Sequence, residues 1–420
     1  MAHFAIVCPP TPGHVNPFAA LGRSLQRRGH RVTLFQIPPL RETARREGLD
    51  FHPVGDTEGR EMAEAIASLV ELKGFASVRF AIECSRRISD LLCRELPGAL
   101  RRAGVDFVLA DQNEPAAASV AESLRLPFIS VCPGLPLNRE PAIPPPFFGW
   151  AWCDSVLARA RNRAGMAIAD RLIAPVNHTL NQYRTRWGLA PIRTPDDSFS
   201  PLAQLCQLTP EFDFPRRNLP RGFHYLGPFV DGEGVKYSFP WEQLNGKPLV
   251  YASLGTLQDP GVEYFRTIAR ACAGMNVQLV IAAGGNRADA LSNLEGAAVV
   301  VPHAPQLELL ARAALTITHA GLNTVMQSLL FGVPMVAIPL AHDQPATAAR
   351  VARSGTGEVI PLRAVNVGRL RAAIARVLEQ PRFRQNAAGI RESIKGAGGV
   401  EKGSDVIEGA LNVRVRRASA

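Results

Sequence analysis

Lysine is scarce in this chain of 420 residues, which has five lysines among 47 basic residues. The arginines are scattered, although the groups Arg27-Arg28 and Arg159, Arg161, Arg163 fall at helical spacing. The formal net charge of +10 is therefore interpreted as solvated helix faces, with attraction to an anionic membrane surface as the alternative. No platform of aromatic and basic residues accompanies the charge, so nucleic-acid binding is not expected.

Several catalytic motifs are absent. The chain has no Gly-x-Gly-x-x-Gly after its first apolar run and no P-loop, which disfavours dehydrogenases and kinases. It has no Gly-x-Ser-x-Gly elbow for a serine nucleophile. Asp-x-Asp is absent, and the histidines and cysteines lack ligand spacing, so neither a metal nor another cofactor is expected. Glu211-Phe-Asp213 and Asp231-Gly-Glu233 imitate Asp-x-Asp loosely, but they stand in loops rich in proline and glycine and are expected to be solvated.

Targeting and membrane-spanning segments are not predicted either. The first residues, MAHFAIVCPP, lack the basic start and the long apolar run of a signal peptide. The seven cysteines are dispersed without a CxxC pair, which favours reduced thiols and a cytoplasmic protein. The longest uncharged stretch, 321–342, is interrupted by polar residues, glycine and proline. It predicts a buried helix followed by a buried strand at 335–339 rather than a membrane span.

Short apolar runs alternate with helical patterns along the whole chain, which is typical of parallel sheets in α/β folds. The predicted strands are 3–8, 31–36, 107–110, 127–131, 249–253, 278–282, 298–301, 315–318 and 335–338. A stretch rich in glycine and proline interrupts the pattern at 228–247 and predicts a linker. We therefore expect two doubly wound, Rossmann-like domains, 1–227 and 248–403, facing across a cleft. Residues 404–420 form a C-terminal segment that is expected to pack back on the first domain.

The segment from 303 to 344 carries the clearest chemical signal. The predicted strand 315–318 runs into HAGLN (319–323) at the start of a helix, where unpaired N–H groups and a partial positive charge suit phosphates. Asp343 and Gln344 follow the next strand and add a carboxylate and an amide suited to sugar hydroxyls. Together they predict a site for a nucleotide-linked sugar.

Two residues of the first domain are candidates for acid–base chemistry. His14 lies in the predicted loop TPGHVNP (11–17), before a predicted helix from Phe18 to Gln26, and could act as a general base. Asp111 directly follows the strand 107–110 and could orient an imidazole. Taken singly, these residues also fit a surface histidine and a helix cap. As a pair at the ends of two strands of one sheet, they predict a catalytic dyad.

The segment PAIPPPFFGWAW (141–152) combines prolines with the aromatic residues Phe147, Phe148, Trp150 and Trp152. The prolines exclude a helix or a central strand. The segment is interpreted as a buried loop packed on the domain. The alternative is an apolar wall for an acceptor or a lip that touches a membrane.

Four segments together resemble the UDP-dependent glycosyltransferases that include plant secondary-metabolite and bacterial macrolide enzymes: TPGHVNP, the Asp111 loop, SLGT (253–256) and 303–344. LCRELP (92–97), DQNEP (111–115), EFDFP (211–215) and SLGTLQ (253–258) are similar to the bacterial branch that glucosylates carotenoids such as zeaxanthin. The resemblance implies the GT-B fold, with an acceptor-binding N-terminal domain and a C-terminal domain that binds UDP-sugar.

The resemblance also implies roles for individual residues. His14 would deprotonate the acceptor hydroxyl, with Asp111 as its partner. The diphosphate is implied to lie near Ser253, Thr256, His319, Gly321, Asn323 and Thr324. The uracil edge is implied to meet Ala304 and Gln306, and the glucose hydroxyls Asp343 and Gln344. Two positions depart from the family pattern: His303 replaces a stacking tryptophan, and Gln327 replaces an acidic residue that holds the ribose.

The resemblance therefore implies an inverting transfer of glucose from the co-substrate UDP-glucose to a carotenoid hydroxyl, and neither metal nor cofactor is expected. The aromatic residues of 141–152 are predicted to contact the apolar acceptor, and the protein to contact the inner face of the membrane peripherally. Three alternatives remain open: transfer to another lipophilic acceptor such as a macrolide or sterol, a non-catalytic binding protein on the same fold, and a sugar-nucleotide epimerase.

Overall fold

A computed structural model describes residues 1–55, 57–68, 74–255, 261–285, 291, 294 and 299–418. The chain forms two lobes, each built around a parallel sheet with helices on both faces. The predicted α/β architecture of two doubly wound domains facing across a cleft is thereby confirmed. The predicted Thr256 lies outside the described residues.

The N-terminal lobe contains a seven-stranded sheet in the order β3-β2-β1-β4-β5-β6-β7. Its strands are β1 (His3–Val7), β2 (Arg31–Gln36), β3 (Asp50–Pro53), β4 (Phe107–Asp111), β5 (Phe128–Cys132), β6 (Gln204–Cys206) and β7 (Phe223–Tyr225). The pairings are parallel throughout. Strands β1, β4 and β5 are buried along their whole length, which explains their continuous apolar sequences. Because β1 and β4 are neighbours, the segments that follow them meet at one edge of the sheet.

The C-terminal lobe contains a six-stranded parallel sheet in the order β10-β9-β8-β11-β12-β13. Its strands are β8 (Leu249–Ser253), β9 (Gln278–Ala282), β10 (Val299–Val301), β11 (Ala313–Thr318), β12 (Met335–Ala337) and β13 (Gly357–Val359). The central strands β8, β11 and β12 end side by side. Their carboxyl ends therefore deliver Ser253, the HAGLN turn and the Asp343 loop to the same edge.

Thirteen helices surround the two sheets in the described residues. They are α1 (Pro12–Arg27), α2 (Arg41–Arg46), α3 (Thr57–Ser68), α4 (Gly74–Ala103), α5 (Pro115–Ser123), α6 (Val156–Arg186), α7 (Val262–Cys272), α8 (Gln306–Leu310), α9 (Leu322–Leu330), α10 (Gln344–Ser354), α11 (Val367–Glu379), α12 (Pro381–Ala397) and α13 (Gly399–Ala418). The uncharged stretch 321–342 forms the buried helix α9 and the buried strand β12, as predicted. Within the described part of the chain, no helix combines the length and hydropathy needed to cross a bilayer.

The first helix begins earlier than the sequence pattern predicted. Residues 12–17 were expected to form a loop, but α1 starts at Pro12. Thr11 is extended, the N–H groups of His14 and Val15 both donate to its carbonyl, and proline is well suited to the first position of a helix. His14 is thus held in the first turn of α1 rather than in a loop. Its position is fixed by helical hydrogen bonds.

The helix α13 lies against the N-terminal lobe. Val400 and Ile407 enter the apolar core that covers one face of the first sheet. Arg28 at the end of α1 donates to the carboxylates of Glu401 and Glu408 at 2.9 and 2.8 Å. The Arg27-Arg28 group, expected to be solvated or to face a membrane, instead pairs with the acidic side chains of α13.

A buried ion cluster joins the two lobes. The carboxylate of Asp213, which lies between β6 and β7, accepts hydrogen bonds from Arg216 (2.8 Å), from Tyr225 (2.9 Å) and from Arg350 on α10 (2.8 and 2.9 Å). The side chains of Asp213, Arg216 and Arg350 are at most 2% exposed. The prediction that the segment Glu211-Phe-Asp213 is solvated was therefore wrong for Asp213. Paired arginines satisfy a buried carboxylate that the loop composition gave no reason to expect.

Candidate active site

His14 and Asp111 form a hydrogen-bonded pair at the edge of the N-terminal sheet. The distance from Nδ1 of His14 to Oδ2 of Asp111 is 2.6 Å. Asp111 is the last residue of β4, and its other oxygen, Oδ1, accepts the backbone N–H of Asn113 at 2.8 Å. The side chain of Asp111 is fully buried, whereas that of His14 remains 24% accessible. The pair leaves Nε2 of His14 as the ring nitrogen that can take a proton from a substrate.

The surroundings of His14 act on its basicity in opposite directions. Burial lowers the pKa of His14, but the charge and hydrogen bond of Asp111 and the charge of Asp343 raise it by more, so the net pKa lies above the usual 6.5. Asp343 belongs to the C-terminal lobe, so the imidazole responds to carboxylates from both lobes. Burial likewise raises the pKa of Asp343.

A third carboxyl group lies next to the pair and was missed by the sequence analysis. Glu114 is 3% exposed, and its Oε1 accepts a hydrogen bond from Ser89 at 3.3 Å. Burial, reinforced by the charge of Asp111, raises the pKa of Glu114 to about 8. The only available signal was its place three residues after Asp111 in the segment DQNEP. At neutral pH the carboxyl group of Glu114 is therefore mostly protonated.

The turn between β11 and α9 is shaped around the ring of His319. A β-carbon at either Gly255 or Gly321 would collide with that ring, so both positions require glycine. Burial lowers the pKa of His319 to about 4, and its Nδ1 has no hydrogen-bond partner among the described residues. The ring is therefore neutral at pH 7 and adds no positive charge to the predicted phosphate site.

The start of α9 has no side-chain cap among the described residues. Its N-cap is Gly321, and none of the described side chains bonds to the first N–H groups of the helix. The preceding Ala320 has a φ of 65°, and His342, before α10, has a φ of 56°. Positive φ values at non-glycine residues are costly and are concentrated at functional sites. Both strained residues stand at the carboxyl ends of central strands, beside the predicted phosphate and sugar sites.

The side chains predicted to hold uracil and ribose contact each other. Nε2 of Gln306 donates to Oε1 of Gln327 at 2.5 Å. Oε1 of Gln306 accepts a hydrogen bond from the hydroxyl of Tyr251 at 3.0 Å. Ala304 is buried beside them. The ring of His303 stacks on Tyr237 of the linker, with the centroids 5.2 Å apart.

The pair predicted to hold the sugar lies at the start of α10. Oε1 of Gln344 accepts the backbone N–H groups of Leu340 and Ala341 at 2.8 and 3.0 Å, so its amide fixes the loop. Asp343 is directed toward the N-terminal lobe, where a β-carbon at Gly134 would be 4.0 Å from its Oδ2. Asp343 and His14 thus approach the same part of the cleft from opposite lobes.

Comparison with known proteins identifies the family. The model of the family "UDP-glucoronosyl and UDP-glucosyl transferase" matches residues 56–394. The chain belongs to the UDP-glycosyltransferase family. It is 38% identical to a zeaxanthin glucosyltransferase of Pantoea ananas, over 97% of this chain and 96% of that one. It is 36% identical to a zeaxanthin glucosyltransferase of Pseudescherichia vulneris, over 98% of both chains.

Solved structures agree on the fold. The glycotransferase of kitacinnamycin superposes with a TM-score of 0.77, covering 98% of this chain and 99% of that one at 23% sequence identity. The expected GT-B fold is thereby confirmed, and so is the prediction of a UDP-glycosyltransferase enzyme. The roles of individual residues stay predictions.

In this UDP-glycosyltransferase, a chain of side-chain amides connects the start of α9 to the first helix, α1. Nδ2 of Asn323 donates to the carbonyl of Gly13 at 2.8 Å. Within a helix that carbonyl would accept the N–H of residue 17, but Pro17 has none. Oδ1 of Asn323 accepts Nε2 of Gln207 at 2.6 Å. The amide of Asn323, predicted to face the diphosphate, therefore bridges the two lobes in this structure, one residue away from His14.

The aromatic loop 141–152 spans the same boundary. Trp150 stacks on Phe148 with the centroids 4.3 Å apart, and its ring packs so closely on Gly165 of α6 that a β-carbon there would collide with it. Trp152 lies under the guanidinium of Arg353 on α10, at 5.3 Å. Of the four residues predicted to contact the acceptor, only Phe147 is largely exposed, at 53%. Trp150 thus packs on α6 and Trp152 contacts the C-terminal lobe, while the predicted contact of these residues with an acceptor stays a prediction.

We predict that Gln207→Leu raises the KM for the sugar nucleotide about fivefold or more. The change removes the donor that orients Asn323 and leaves buried polar groups unpaired, which typically costs about 1–3 kcal/mol. Steady-state kinetics with the sugar nucleotide varied will measure it. Gln204→Leu is the matched control, because Gln204 is a buried amide of β6 that bonds to Asn138 and does not contact Asn323. Equal KM values for the two variants would show that the amide chain has no role in donor binding.

Proposed function

We propose that this UDP-glycosyltransferase transfers glucose from UDP-glucose to a hydroxyl of a carotenoid such as zeaxanthin. The pair formed by His14 and Asp111, facing Asp343 across the lobes, is the observation that carries the proposal. The two relatives that are 38% and 36% identical over nearly the whole chain support the choice of acceptor.

The proposed reaction is a single displacement. Nε2 of His14 takes the proton of the acceptor hydroxyl while its oxygen attacks the anomeric carbon of glucose. The bond from that carbon to the diphosphate oxygen breaks, and UDP leaves with the bonding electrons. Attack opposite the leaving group inverts the anomeric configuration. Asp111 stays ionised, holds the ring tautomer and stabilises the imidazolium that forms.

The leaving diphosphate is proposed to be stabilised without a metal. The N–H groups at the start of α9 would donate hydrogen bonds to it, with the neutral ring of His319 packed beneath them. Ser253, Thr256 and Thr324 are proposed to lie beside it. Asp343 and Gln344 would hold the glucose hydroxyls, and uracil would lie along Ala304 and Gln306, with stacking on His303 and the ribose near Gln327.

The direct test is incubation of the protein with UDP-glucose and zeaxanthin, followed by mass measurement of the pigment. The proposal predicts pigment heavier by one or two glucosyl groups, and none without donor. Parallel reactions with a macrolide and a sterol test the acceptor. Glucosylation of the macrolide or the sterol but not of zeaxanthin would overturn the carotenoid acceptor, while the assignment as a glucosyltransferase would remain. Interconversion of sugar nucleotides without acceptor would overturn transfer itself.

We predict that Asp111→Asn lowers kcat and moves the acidic limb of the pH profile to lower pH. His14 acts as a base only when neutral, and the carboxylate of Asp111 is what raises its pKa against the effect of burial. Without that charge the pKa of His14 falls, so the neutral form extends to lower pH. An asparagine amide also fails to hold the required tautomer, so the maximal rate falls by about 10²-fold or more. Profiles of kcat/KM from pH 5 to 9 test both effects, and an unchanged limb would remove Asp111 from the mechanism.

A further inference from the structure

The helix α6 has an unusual outer surface. Helices at a protein surface normally expose polar side chains and bury apolar ones. Between Val156 and Pro175, the exposed residues of α6 are instead all apolar except Arg163 and Arg171. Val156 and Leu157 are 81% and 83% exposed, and Ile168 is 53% exposed. We call these exposed residues the outer face of α6.

The apolar residues form one continuous strip. Leu157 and Ile168 are eleven positions apart, which places them about 20° from each other around the helix and about 16 Å apart along it. The exposed residues between them are Ala160, Ala164 and Ala167, together with Arg163. The buried side of the same helix packs on α4 through Val176 and Leu180, so the outer face is not needed for the core.

The charge on this face has one sign. Arg163 and Arg171 make no ion pair with any residue that the structure describes. The single acidic residue of α6, Asp170, is half-buried and its carboxylate is already paired with Arg139. A symmetric contact with a second copy would bring together faces that carry arginine and no carboxylate. An anionic bilayer supplies the missing negative charge, and its interior accommodates the apolar strip.

The position of the face is also consistent with this partner. The loop 141–152 packs on α6 through Trp150 and contacts α10 through Gly149, directly beside Asp343. An apolar molecule leaving a bilayer at this face would therefore meet the rim of the cleft. The other basic cluster of the N-terminal lobe, around Arg28, is already paired with acidic side chains of α13.

We infer that the outer face of α6 binds the surface of an anionic lipid bilayer, with the helix lying in the plane of the membrane. The apolar side chains enter the interface, and the two arginines contact lipid phosphates. Binding depends on both contributions, so it increases with the fraction of anionic lipid and decreases with salt.

Sedimentation with vesicles tests the inference. Vesicles of phosphatidylcholine, with and without phosphatidylglycerol, are mixed with the full chain in the absence of substrates. The wild type is expected to bind preferentially to the anionic vesicles. Arg163→Ala with Arg171→Ala should weaken that binding by about fivefold for each arginine, and Leu157→Glu with Ile168→Glu should abolish it. Arg363→Ala with Arg369→Ala, on the C-terminal lobe, removes the same charge and should bind like the wild type.

Three results would overturn the inference: no binding by the wild type, equal loss in the control, or unchanged binding after Leu157→Glu with Ile168→Glu. A dimer that dissociates on the same double change, without vesicle binding, would assign the face to a second copy instead. UDP binding checks that each variant is folded. Vesicle binding is measured without donor or acceptor, so the two proposals are tested separately. A protein that does not bind vesicles could still transfer glucose, and a protein that does not transfer glucose could still bind vesicles.

Discussion

His14→Ala should lower kcat by about 10²- to 10⁴-fold, the range that general acid–base catalysis contributes. The variant loses the imidazole that is proposed to accept the hydroxyl proton. It should keep its affinity for UDP, because the predicted nucleotide contacts all lie in the C-terminal lobe. We therefore expect kcat to fall while the Kd for UDP, measured by calorimetry, is unchanged.

His178→Ala is the matched control for this prediction. His178 is an exposed histidine of α6 whose described side-chain contact is with Gln182. Its loss should leave turnover at the wild-type level. If His14→Ala retained more than about a tenth of wild-type turnover, the imidazole of His14 would contribute less than general bases usually do. The assignment of His14 as the general base would then be wrong.

Asp213→Asn should lower the free energy of unfolding by about 3–5 kcal/mol, the cost of leaving buried charges without their partner. The substitution keeps the size of the side chain but leaves the guanidinium groups of Arg216 and Arg350 uncompensated in the interior. Because Arg350 belongs to the other lobe, the change also weakens the attachment between lobes. Thermal unfolding followed by circular dichroism will measure the loss as a lower midpoint.

The pH dependence of this effect has a defined sign. Burial alone would raise the pKa of Asp213, but the charges of Arg216 and Arg350 outweigh it and hold the pKa well below its usual value. The stabilisation is therefore complete above the unfolded-state pKa of about 3.9 and is lost as the pH falls through the lowered pKa. The difference in the free energy of unfolding between wild type and Asp213→Asn should persist at neutral pH and become smaller only in strong acid.

Asp154→Asn is the control for Asp213→Asn. Asp154 pairs with Arg159 and Arg217 at the surface, where solvent screens the interaction, so its loss should hardly move the midpoint. Equal shifts in the two variants would mean that the buried cluster does not hold the lobes together.

Much of the fold could be predicted from the sequence because parallel strands buried on both faces leave continuous apolar runs. The runs at β1, β4, β8 and β11 fell within one or two residues of the strands. The place of Asp111 followed from the same pattern, since a polar residue after a buried run marks a strand end. The resemblance of the segment 303–344 to the family then indicated that the C-terminal lobe binds the sugar nucleotide.

The errors have a common physical cause, which is compensation between residues distant in sequence. Residues 11–17 were predicted to form a loop, yet α1 begins at Pro12. The carbonyl of Gly13, which Pro17 leaves without a helical partner, accepts a hydrogen bond from Asn323, 310 residues further along the chain. Asp213 lies in a proline-rich loop and was expected to be solvated, yet Arg350 from the other lobe buries it. No local pattern reports such a partner. Glu114 was missed because its burial, which raises its pKa, is not visible in the sequence.

The anomeric configuration of the product tests the central claim most directly. A single displacement by a hydroxyl activated at His14, with the α-linked diphosphate leaving toward the start of α9, must yield a β-glucoside. Proton NMR of the purified pigment glucoside reads the configuration from the coupling constant of the anomeric proton. A β-linked product is the predicted result, and an α-linked product would contradict direct attack across the cleft.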